Sequence, residues 1–316
     1  MQREIGGYFE LERFTLPMLH EDALALSSGR AALACLIERR GIRRIALPDF
    51  CCDVVRETCE RCGVSVRLYP VGLDLRPAET VAAEDEWFYL VNFYGQLKHE
   101  ELEDWAARCP RLIVDNAQAY FDVPLKGVDT LYTCRKFLGV SDGGFLYTDA
   151  PGEALPRDES HGRMGFVLGR FERPAGEYYA EASGNNDALP ILPVLGMSAL
   201  TENLLHGIEY GRVRFRREEN FARLHAALGE HNRLAVRAPA GPFAYPFLHP
   251  DAPALRRRLI AEKIFVPTLW PNVLREQPED SAAHTLAENI LPLPCDQRYG
   301  SEEMDRILEV LDPCSL

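Results

Sequence analysis

Lysine is rare in this sequence. Of its 35 basic residues only four are lysines, and the other 31 are arginines. Any chemistry that needs a lysine amine therefore has four candidates, namely Lys98, Lys126, Lys136 and Lys263.

Basic residues are also outnumbered by acidic ones. The 316-residue chain has 48 acidic residues and a formal net charge of −13. Nucleic acids and anionic membranes are bound through a basic face, so we expect neither as a partner. No apolar run approaches the roughly 18 residues of a membrane-spanning helix, and the N-terminus lacks the hydrophobic stretch of a signal peptide.

Cysteines are too sparse to predict a disulfide scaffold. Their number is nine, and they are spread along the chain, so we expect a reducing, cytoplasmic location. Cys59 and Cys62 lie three residues apart with no second such pair nearby, so we expect no metal site. The common dinucleotide, P-loop and HExxH motifs are absent as well.

In the first half of the chain, short apolar runs alternate with helical patterns. Runs typical of strands cover 43–48, 64–71, 87–95, 111–115, 129–134 and 143–149, and helices are predicted at 54–63 and 99–109. This alternation predicts an α/β fold with a mostly parallel sheet covered by helices.

The second half has a different pattern. Residues 150–190 are rich in proline, glycine and charge, which is typical of a domain junction or of an active-site loop region. A long helical pattern follows from about 197 to 230. The tail then predicts a small α/β unit, with strands at 241–249 and 264–270 and helices at 252–263 and 301–311. We expect a large domain over 1–195, with an N-terminal arm at 1–20, and a small domain over 196–316.

Asp115 and Lys136 are the first chemical signal. Asp115 ends an apolar strand, where open α/β sheets place their ligand sites, and Lys136 follows another strand before a glycine-rich turn. A pyridoxal phosphate enzyme needs such a pair, since the lysine forms a Schiff base and the carboxylate keeps the pyridine nitrogen protonated. Alone, an aspartate at a strand end is more often a helix cap or a turn residue.

Two further segments agree with that interpretation, although each has an ordinary alternative. Ser27, Ser28 and Gly29 lie at a helix N-terminus, which favours a phosphate but is also typical of a well-capped helix. Phe50 follows a strand, from which its ring could stack on a cofactor or pack in the core.

Together, these segments resemble the DegT/DnrJ/EryC1/StrS family, the sugar aminotransferases of pyridoxal phosphate fold type I. VDNAQA resembles its D-x-A-Q-A motif, and KFLGVSDGG resembles K-x-x-x-x-G-E-G-G. The resemblance continues through most of the chain in SSGRAAL, LPDFCCDVVRETCERCGVSVRLYPV, VNFYGQ, SGNN and LPLPCDQRYGSEEMDRILEVL. It implies a mostly parallel seven-stranded sheet with flanking helices and a smaller C-terminal α/β domain.

The resemblance implies catalytic roles for two residues. Lys136 would be the Schiff-base lysine and the acid and base that moves a proton between substrate and cofactor. Asp115 would pair with the pyridine nitrogen, and Gln118 would hydrogen-bond the phenolic oxygen of the cofactor.

The same resemblance implies further contacts to pyridoxal phosphate. Gly29 and Arg30 would supply phosphate-binding N–H groups, and Phe50 would stack on the ring. Asn186 would reach across a dimer interface to the neighbouring phosphate, which implies a homodimer with shared active sites.

The sequence departs from the family pattern near Lys136. Leu131 stands where the family commonly has a serine, and Thr133 is either a substitute phosphate ligand or an ordinary strand threonine. Asp142 replaces the usual glutamate before the paired glycines, and Arg135 beside the lysine is unusual. The chain is also shorter than most members, mainly in the C-terminal half, which helps to form the substrate pocket.

The resemblance implies an aminotransferase that transfers an amino group from an amino acid such as glutamate to a keto sugar. The sugar would be linked to a nucleotide, as in polysaccharide or antibiotic sugar biosynthesis. A candidate source of cationic contacts is the helical run Arg212, Arg214, Arg216 and Arg217, although one helix cannot point all four the same way.

Two alternatives stay open. One is a dehydration at the same cofactor, which Lys136 disfavours because the dehydratase branch of the family replaces that lysine. The other is a non-catalytic binding or regulatory relative.

Overall fold

Seven strands from the first half of the chain form one sheet. The computed structural model describes residues 5–78, 83 and 85–315, so the first four residues of the predicted arm lie outside the described part. The strands are β1 (Leu24–Leu26), β2 (Arg44–Pro48), β3 (Ser65–Tyr69), β4 (Trp87–Val91), β5 (Leu112–Asp115), β6 (Asp129–Thr133) and β7 (Gly144–Tyr147).

The strand order is β1-β7-β6-β5-β4-β2-β3, and the sheet is mostly parallel. Only β7 runs against its neighbours β1 and β6 among these seven strands. Central strands such as β5 are buried along their whole length, because helices cover both faces, and this explains their nearly continuous apolar sequence. The helices that follow the early strands are α1 (Gly29–Arg40), α2 (Asp53–Arg61) and α3 (His99–Arg108).

The second half is mainly helical. It contains α4 (Gly165–Glu172), α5 (Tyr179–Ala188), α6 (Ala199–Leu205), α7 (Tyr210–Leu228), α8 (Ala252–Ala261), α9 (Pro271–Glu276), α10 (Ala282–Asn289) and α11 (Ser301–Leu311). Strands β8 (Tyr245–Leu248) and β9 (Ile290–Leu293) pair antiparallel. They share a core with α7, α8 and α11 through Phe221, Leu255, Phe247, Leu291 and Met304. This unit matches the expected smaller α/β part, while the exact boundary at 195/196 stays a prediction.

Two predictions for this half are wrong. The helix expected from 197 to 230 is broken at 206–209, where the His206 backbone oxygen accepts a hydrogen bond from the Leu16 backbone N–H at 2.9 Å. The strand expected at 264–270 does not form. Pro267 has no N–H to give a ladder, and Trp270 takes a left-handed φ of 58° just before α9. The strand that pairs with β8 is β9 instead.

The described helices include none that is both long enough and apolar enough to cross a membrane.

Candidate active site

The predicted site residues meet at one edge of the sheet. Strands β5 and β6 run parallel and end there, and α1 begins there after β1. A cavity of about 540 Å³ opens at this edge. It is lined by seven of the eight predicted site residues, namely Gly29, Arg30, Asp115, Gln118, Thr133, Lys136 and Asn186.

Asp115 is held rigidly at the end of β5. The Tyr89 hydroxyl donates to Oδ2 at 2.8 Å, and the Ala117 backbone N–H donates to Oδ1 at 2.7 Å. Burial, together with the charge of Asp115, raises the pKa of Tyr89 well above its usual value, so this hydroxyl stays a donor. Hydrogen bonds to both oxygens therefore fix the position of the Asp115 carboxylate at the wall of the cavity.

The orientation of the Gln118 side chain is set by the backbone. Its Oε1 accepts a hydrogen bond of 2.8 Å from the Tyr94 N–H, which can act only as a donor. Tyr94 has a left-handed φ of 53°, which turns its N–H toward Gln118. The side-chain oxygen is thus engaged, and the Nε2 amino group is the donor that Gln118 brings to the cavity wall.

Lys136 lies three residues after the end of β6. Its Nζ lies 5.9 Å from the ring centroid of Phe243, which also lines the cavity. The backbone oxygen of the next residue, Phe137, accepts hydrogen bonds from Gln297 Nε2 at 2.7 Å and from Arg217 Nη2 at 3.1 Å. The lysine segment is therefore tied to the C-terminal half of the chain.

Gly143 and Gly144 must be glycines, because neighbouring atoms lie where a Cβ would stand. Gly143 has φ of 125°, and a Cβ there would lie 2.3 Å from the Cys134 Sγ. A Cβ on Gly144 would lie 2.6 Å from the Ser28 backbone oxygen, so only glycine lets β7 pass the start of α1. Ser28 caps that helix by accepting the Ala31 N–H at 3.1 Å.

Asp142, which replaces the usual glutamate, has a structural position. Its carboxylate is fully buried and accepts hydrogen bonds from the Ser198 backbone N–H and hydroxyl, both at 2.8 Å. It also accepts one from the Thr201 hydroxyl. Asp142 therefore joins the glycine turn to the N-terminus of α6.

Phe50 is the one predicted site residue that does not line the cavity. Its side chain is 1% exposed and packs against Phe93 and Trp270, with ring centroids 5.2 and 4.6 Å away. This packing favours the core alternative, since the wall of the cavity next to Phe50 in the sequence is formed by Cys51 and Cys52, and the stacking role stays a prediction. Burial raises the pKa of the Cys52 thiol, which keeps it neutral.

Asn186 accepts hydrogen bonds from two arginines of its own chain. Its backbone oxygen accepts from Arg30 Nη1 at 3.0 Å, and its Oδ1 accepts from Arg135 Nη2 at 2.5 Å. The neighbouring Asn185 anchors α5, since its Nδ2 donates to the Ser141 backbone oxygen at 2.8 Å. Asn186 therefore belongs to the wall of the cavity of its own chain, and its contribution to the site of a neighbouring subunit stays a prediction.

The segment 150–190 contributes helices to the cavity wall. Phe166 of α4 and Ala182 of α5 line it together with Asn186. This position favours the active-site interpretation over that of a domain junction, although the part of the segment that lines the cavity is helical rather than a loop.

The arginine run on α7 lies outside the cavity wall. Arg212, Arg214 and Arg216 form ion pairs with glutamates of the same helix or its start, Glu209, Glu218 and Glu219. Arg217 is buried. The candidate source of cationic contacts for the cavity therefore does not line it, because three of the four arginines pair with nearby glutamates and the fourth is buried elsewhere.

Sequence reasoning missed Tyr89, Phe243, Trp270 and the buried Arg217. Tyr89 belongs to an apolar strand, and its contact with Asp115 depends on the register of β4 against β5, in which Val91 is opposite Asp115. Within the described residues, no group of three or more metal-ligating side chains comes together. All nine cysteines lie in that part of the chain, and each is a free thiol.

The chain was compared with known proteins at three levels. No family model matches it, and no curated protein matches it. Solved structures do match. A DegT DnrJ EryC1 StrS aminotransferase from Brucella abortus is 17% identical, with a TM-score of 0.61, and the match covers 92% of this chain and 85% of that one.

Two further solved structures have the same TM-score of 0.61. The sugar aminotransferase CalS13 from Micromonospora echinospora is 15% identical, over 92% of this chain and 86% of that one. The E. coli GDP-4-keto-6-deoxy-D-mannose-3-dehydratase with bound hydrated PLP is 16% identical, over 92% and 87%. These likenesses confirm the predicted fold class, fold type I with a mostly parallel seven-stranded sheet, and they confirm the resemblance at the level of the fold.

Proposed function

We propose that the protein is a pyridoxal phosphate-dependent aminotransferase. It would take an amino group from an amino acid such as glutamate and transfer it to a keto sugar linked to a nucleotide. The observation that carries this proposal is that Asp115 and Lys136 line one cavity beside the N-terminus of α1. The solved aminotransferases of the same fold support the same reaction class.

The residues of the cavity fit pyridoxal phosphate. The carboxylate of Asp115 accepts hydrogen bonds from Tyr89 and Ala117, and the residue is 8% exposed. A carboxylate held in this way suits the role of balancing the charge of a pyridinium nitrogen. Ser28, Gly29 and Arg30 at the start of α1 line the cavity, where helix N–H groups favour a phosphate. The Nε of Arg135 is buried without an acceptor among the described residues, as expected at a site for an anion.

Pyridoxal phosphate supplies an electron sink for the carbon next to the nitrogen that is transferred. The residues of the cavity would attach the cofactor, orient it and move the proton. Lys136 provides the amine that attaches the cofactor and then takes and returns the proton at that carbon. Asp115 would keep the pyridine nitrogen protonated, and the Gln118 Nε2 would donate to the ring oxygen. Phe243 and Trp270, which belong to the C-terminal half of the chain, form an apolar part of the cavity wall and would limit the access of water there.

The two half-reactions can be separated to test this function. Full-length protein loaded with pyridoxal phosphate is mixed with single amino acids and no acceptor. We expect glutamate to convert the bound cofactor to pyridoxamine phosphate with release of one 2-oxoglutarate, followed by absorbance and mass spectrometry. K136A should abolish the conversion, and K98A, which changes an exposed lysine, should leave it intact. Absence of conversion with every amino acid would contradict the proposal.

Dehydration is the second candidate, and the E. coli dehydratase of the same fold is the observation that favours it. Lys136 favours amino transfer over it, since its amine can return a proton to the substrate carbon. Both reactions need the pyridoxamine form of the cofactor, because a keto sugar has no amine to condense with the aldehyde of pyridoxal phosphate. The protein is therefore first converted with glutamate, freed of the amino donor and mixed with a nucleotide-linked keto sugar. An amino sugar would support amino transfer, whereas a keto sugar that has lost one hydroxyl oxygen, with release of ammonia, would support dehydration.

We propose further that the protein is a cytoplasmic homodimer. The region of α4 and α5 carries large apolar side chains exposed to water, including Phe171 at 95% and Ile191 at 85%. Nine free thiols suit a reducing compartment. Sedimentation should give a dimer, and F171D should shift it toward monomer, while R170Q next to it should not. Cell fractionation tests the location.

A further inference from the structure

Two guanidinium groups lie side by side in the cavity wall. Arg30 is the second residue of α1, and Arg135 directly precedes Lys136. Both donate to Asn186, Arg30 to its backbone oxygen at 3.0 Å and Arg135 to its Oδ1 at 2.5 Å. Asn186 therefore holds both cations at the same corner of the cavity.

No carboxylate within the described residues touches this pair of cations. Asp53 and Glu57 act on Arg30, and Asp142 acts on Arg135, only through longer-range charge interactions. Within the described ranges neither Arg30 nor Arg135 forms an ion pair with a carboxylate, and the buried Nε of Arg135 has no hydrogen-bond acceptor. Burial and the charge of Arg30 lower the pKa of Arg135 to about 10. Two half-buried like charges and a buried donor without a partner are costly, unless an anion binds between them.

The neutral hydroxyls at the same corner are those of Thr133 and Ser28. The Thr133 hydroxyl donates to the Gly143 backbone oxygen at 3.0 Å, so its proton is already engaged, and Leu131, two residues earlier on β6, is apolar. Ser28 lines the cavity and its oxygen accepts the Ala31 N–H, which leaves its own proton to donate. A dianion at the start of α1 therefore has the backbone N–H groups of that helix, the Ser28 hydroxyl and the two guanidinium groups as its donors.

We propose that the side chains of Arg30 and Arg135 bind the phosphate of pyridoxal phosphate, with Asn186 of the same chain as the residue that positions them. This inference rests on the proposed function. It assigns the phosphate to side-chain cations, and it gives Arg135 a role separate from that of the adjacent Lys136. Thr133 acts as a strand residue that holds the glycine turn.

The contribution of the phosphate group to binding is isolated by comparing two ligands that differ only in that group. Binding of pyridoxal phosphate and of pyridoxal to full-length, cofactor-free protein is measured by absorbance, and the ratio of their dissociation constants is the readout. We expect R135Q and R30Q each to lower the preference for pyridoxal phosphate about 10- to 100-fold, the value of a lost charged hydrogen-bond donor. R135K, which keeps the charge, should lie between R135Q and the wild type.

R216Q serves as the matched control, because Arg216 is an exposed arginine outside the cavity wall. It should keep the wild-type ratio. Inorganic phosphate provides a second readout, since it should raise the melting temperature of the cofactor-free wild type and have less effect on R135Q. Wild-type ratios in both R135Q and R30Q, with pyridoxal phosphate still bound, would overturn this inference alone. Failure of the wild-type protein to bind either ligand would overturn the proposed function as well.

Discussion

Arg217 donates a hydrogen bond from Nη2 to the backbone oxygen of Phe137, the residue after Lys136, at 3.1 Å. Its guanidinium carbon lies 4.7 Å from the centroid of the Phe137 ring, and the side chain is 1% exposed. Two more neutral oxygens accept from it, Gln297 Oε1 at 2.7 Å and the Pro242 backbone oxygen at 2.8 Å. Burial lowers the pKa of Arg217 to about 10, and hydrogen bonds hold the cation in place.

The first prediction concerns this arginine. R217M leaves buried oxygens without their donor, so we expect the free energy of unfolding to fall by about 2–4 kcal/mol. Urea denaturation measures it. R216Q removes an exposed arginine one residue away and should change that free energy by less than about 0.5 kcal/mol. Equal stability of R217M and the wild type would show that this contact does not join the lysine segment to α7.

The second prediction concerns the hydroxyl behind Asp115. Y89F removes a hydrogen bond to a carboxylate, which is worth about 1.5–3 kcal/mol, so we expect kcat/KM of the amino-donor half-reaction to fall roughly 10- to 100-fold. Y69F is the control. It removes another buried hydroxyl, which donates to the Tyr89 backbone oxygen and does not touch Asp115. If Y69F and Y89F lose the same activity, the effect is one of packing and the role given to Tyr89 is wrong.

The third prediction is a pH dependence of stability. His20 is buried among aromatic rings, with Nε2 2.7 Å from the Tyr120 backbone oxygen and Nδ1 3.1 Å from the Tyr147 hydroxyl. Burial lowers its pKa to about 4 from the usual 6.5. Between these values the unfolded chain binds the proton more readily, so stability falls as the pH is lowered.

We expect the wild-type protein to lose about 3 kcal/mol of unfolding free energy through His20 as the pH falls from about 6.5 to 4. H20Q has no such group. The stability difference between wild type and H20Q, measured by urea unfolding across that range, should therefore shrink by this amount. A difference that does not change with pH would contradict the burial of a neutral imidazole.

The parts of the site that were predictable are local in sequence. Asp115 ends an apolar strand, Lys136 follows one, and Ser28 and Gly29 begin a helix, so each could be placed at one edge of a parallel sheet. The final helix begins at Ser301, as its acidic first turn predicts.

The parts that were missed depend on contacts between distant segments. In the sequence Arg217 has the pattern of a surface arginine in a charged helix. Its burial depends on a contact with Phe137, which is 80 residues away in the sequence. Phe50 is apolar in either role, so the sequence cannot distinguish a ring above a ligand from a ring against Trp270. At the break before α7 the His206 backbone oxygen accepts a hydrogen bond from Leu16, nearly 200 residues away, and helix periodicity gives no sign of such a contact.

The central claim is that Lys136 is the amine that holds pyridoxal phosphate, and the scarcity of lysine makes it directly testable. Full-length protein loaded with the cofactor is reduced with borohydride, digested and mapped by mass spectrometry. The account predicts one modified peptide, which contains Lys136, and its loss in K136A. Label on Lys98, Lys126 or Lys263, or no label in a protein that stays colourless with added cofactor, would contradict it.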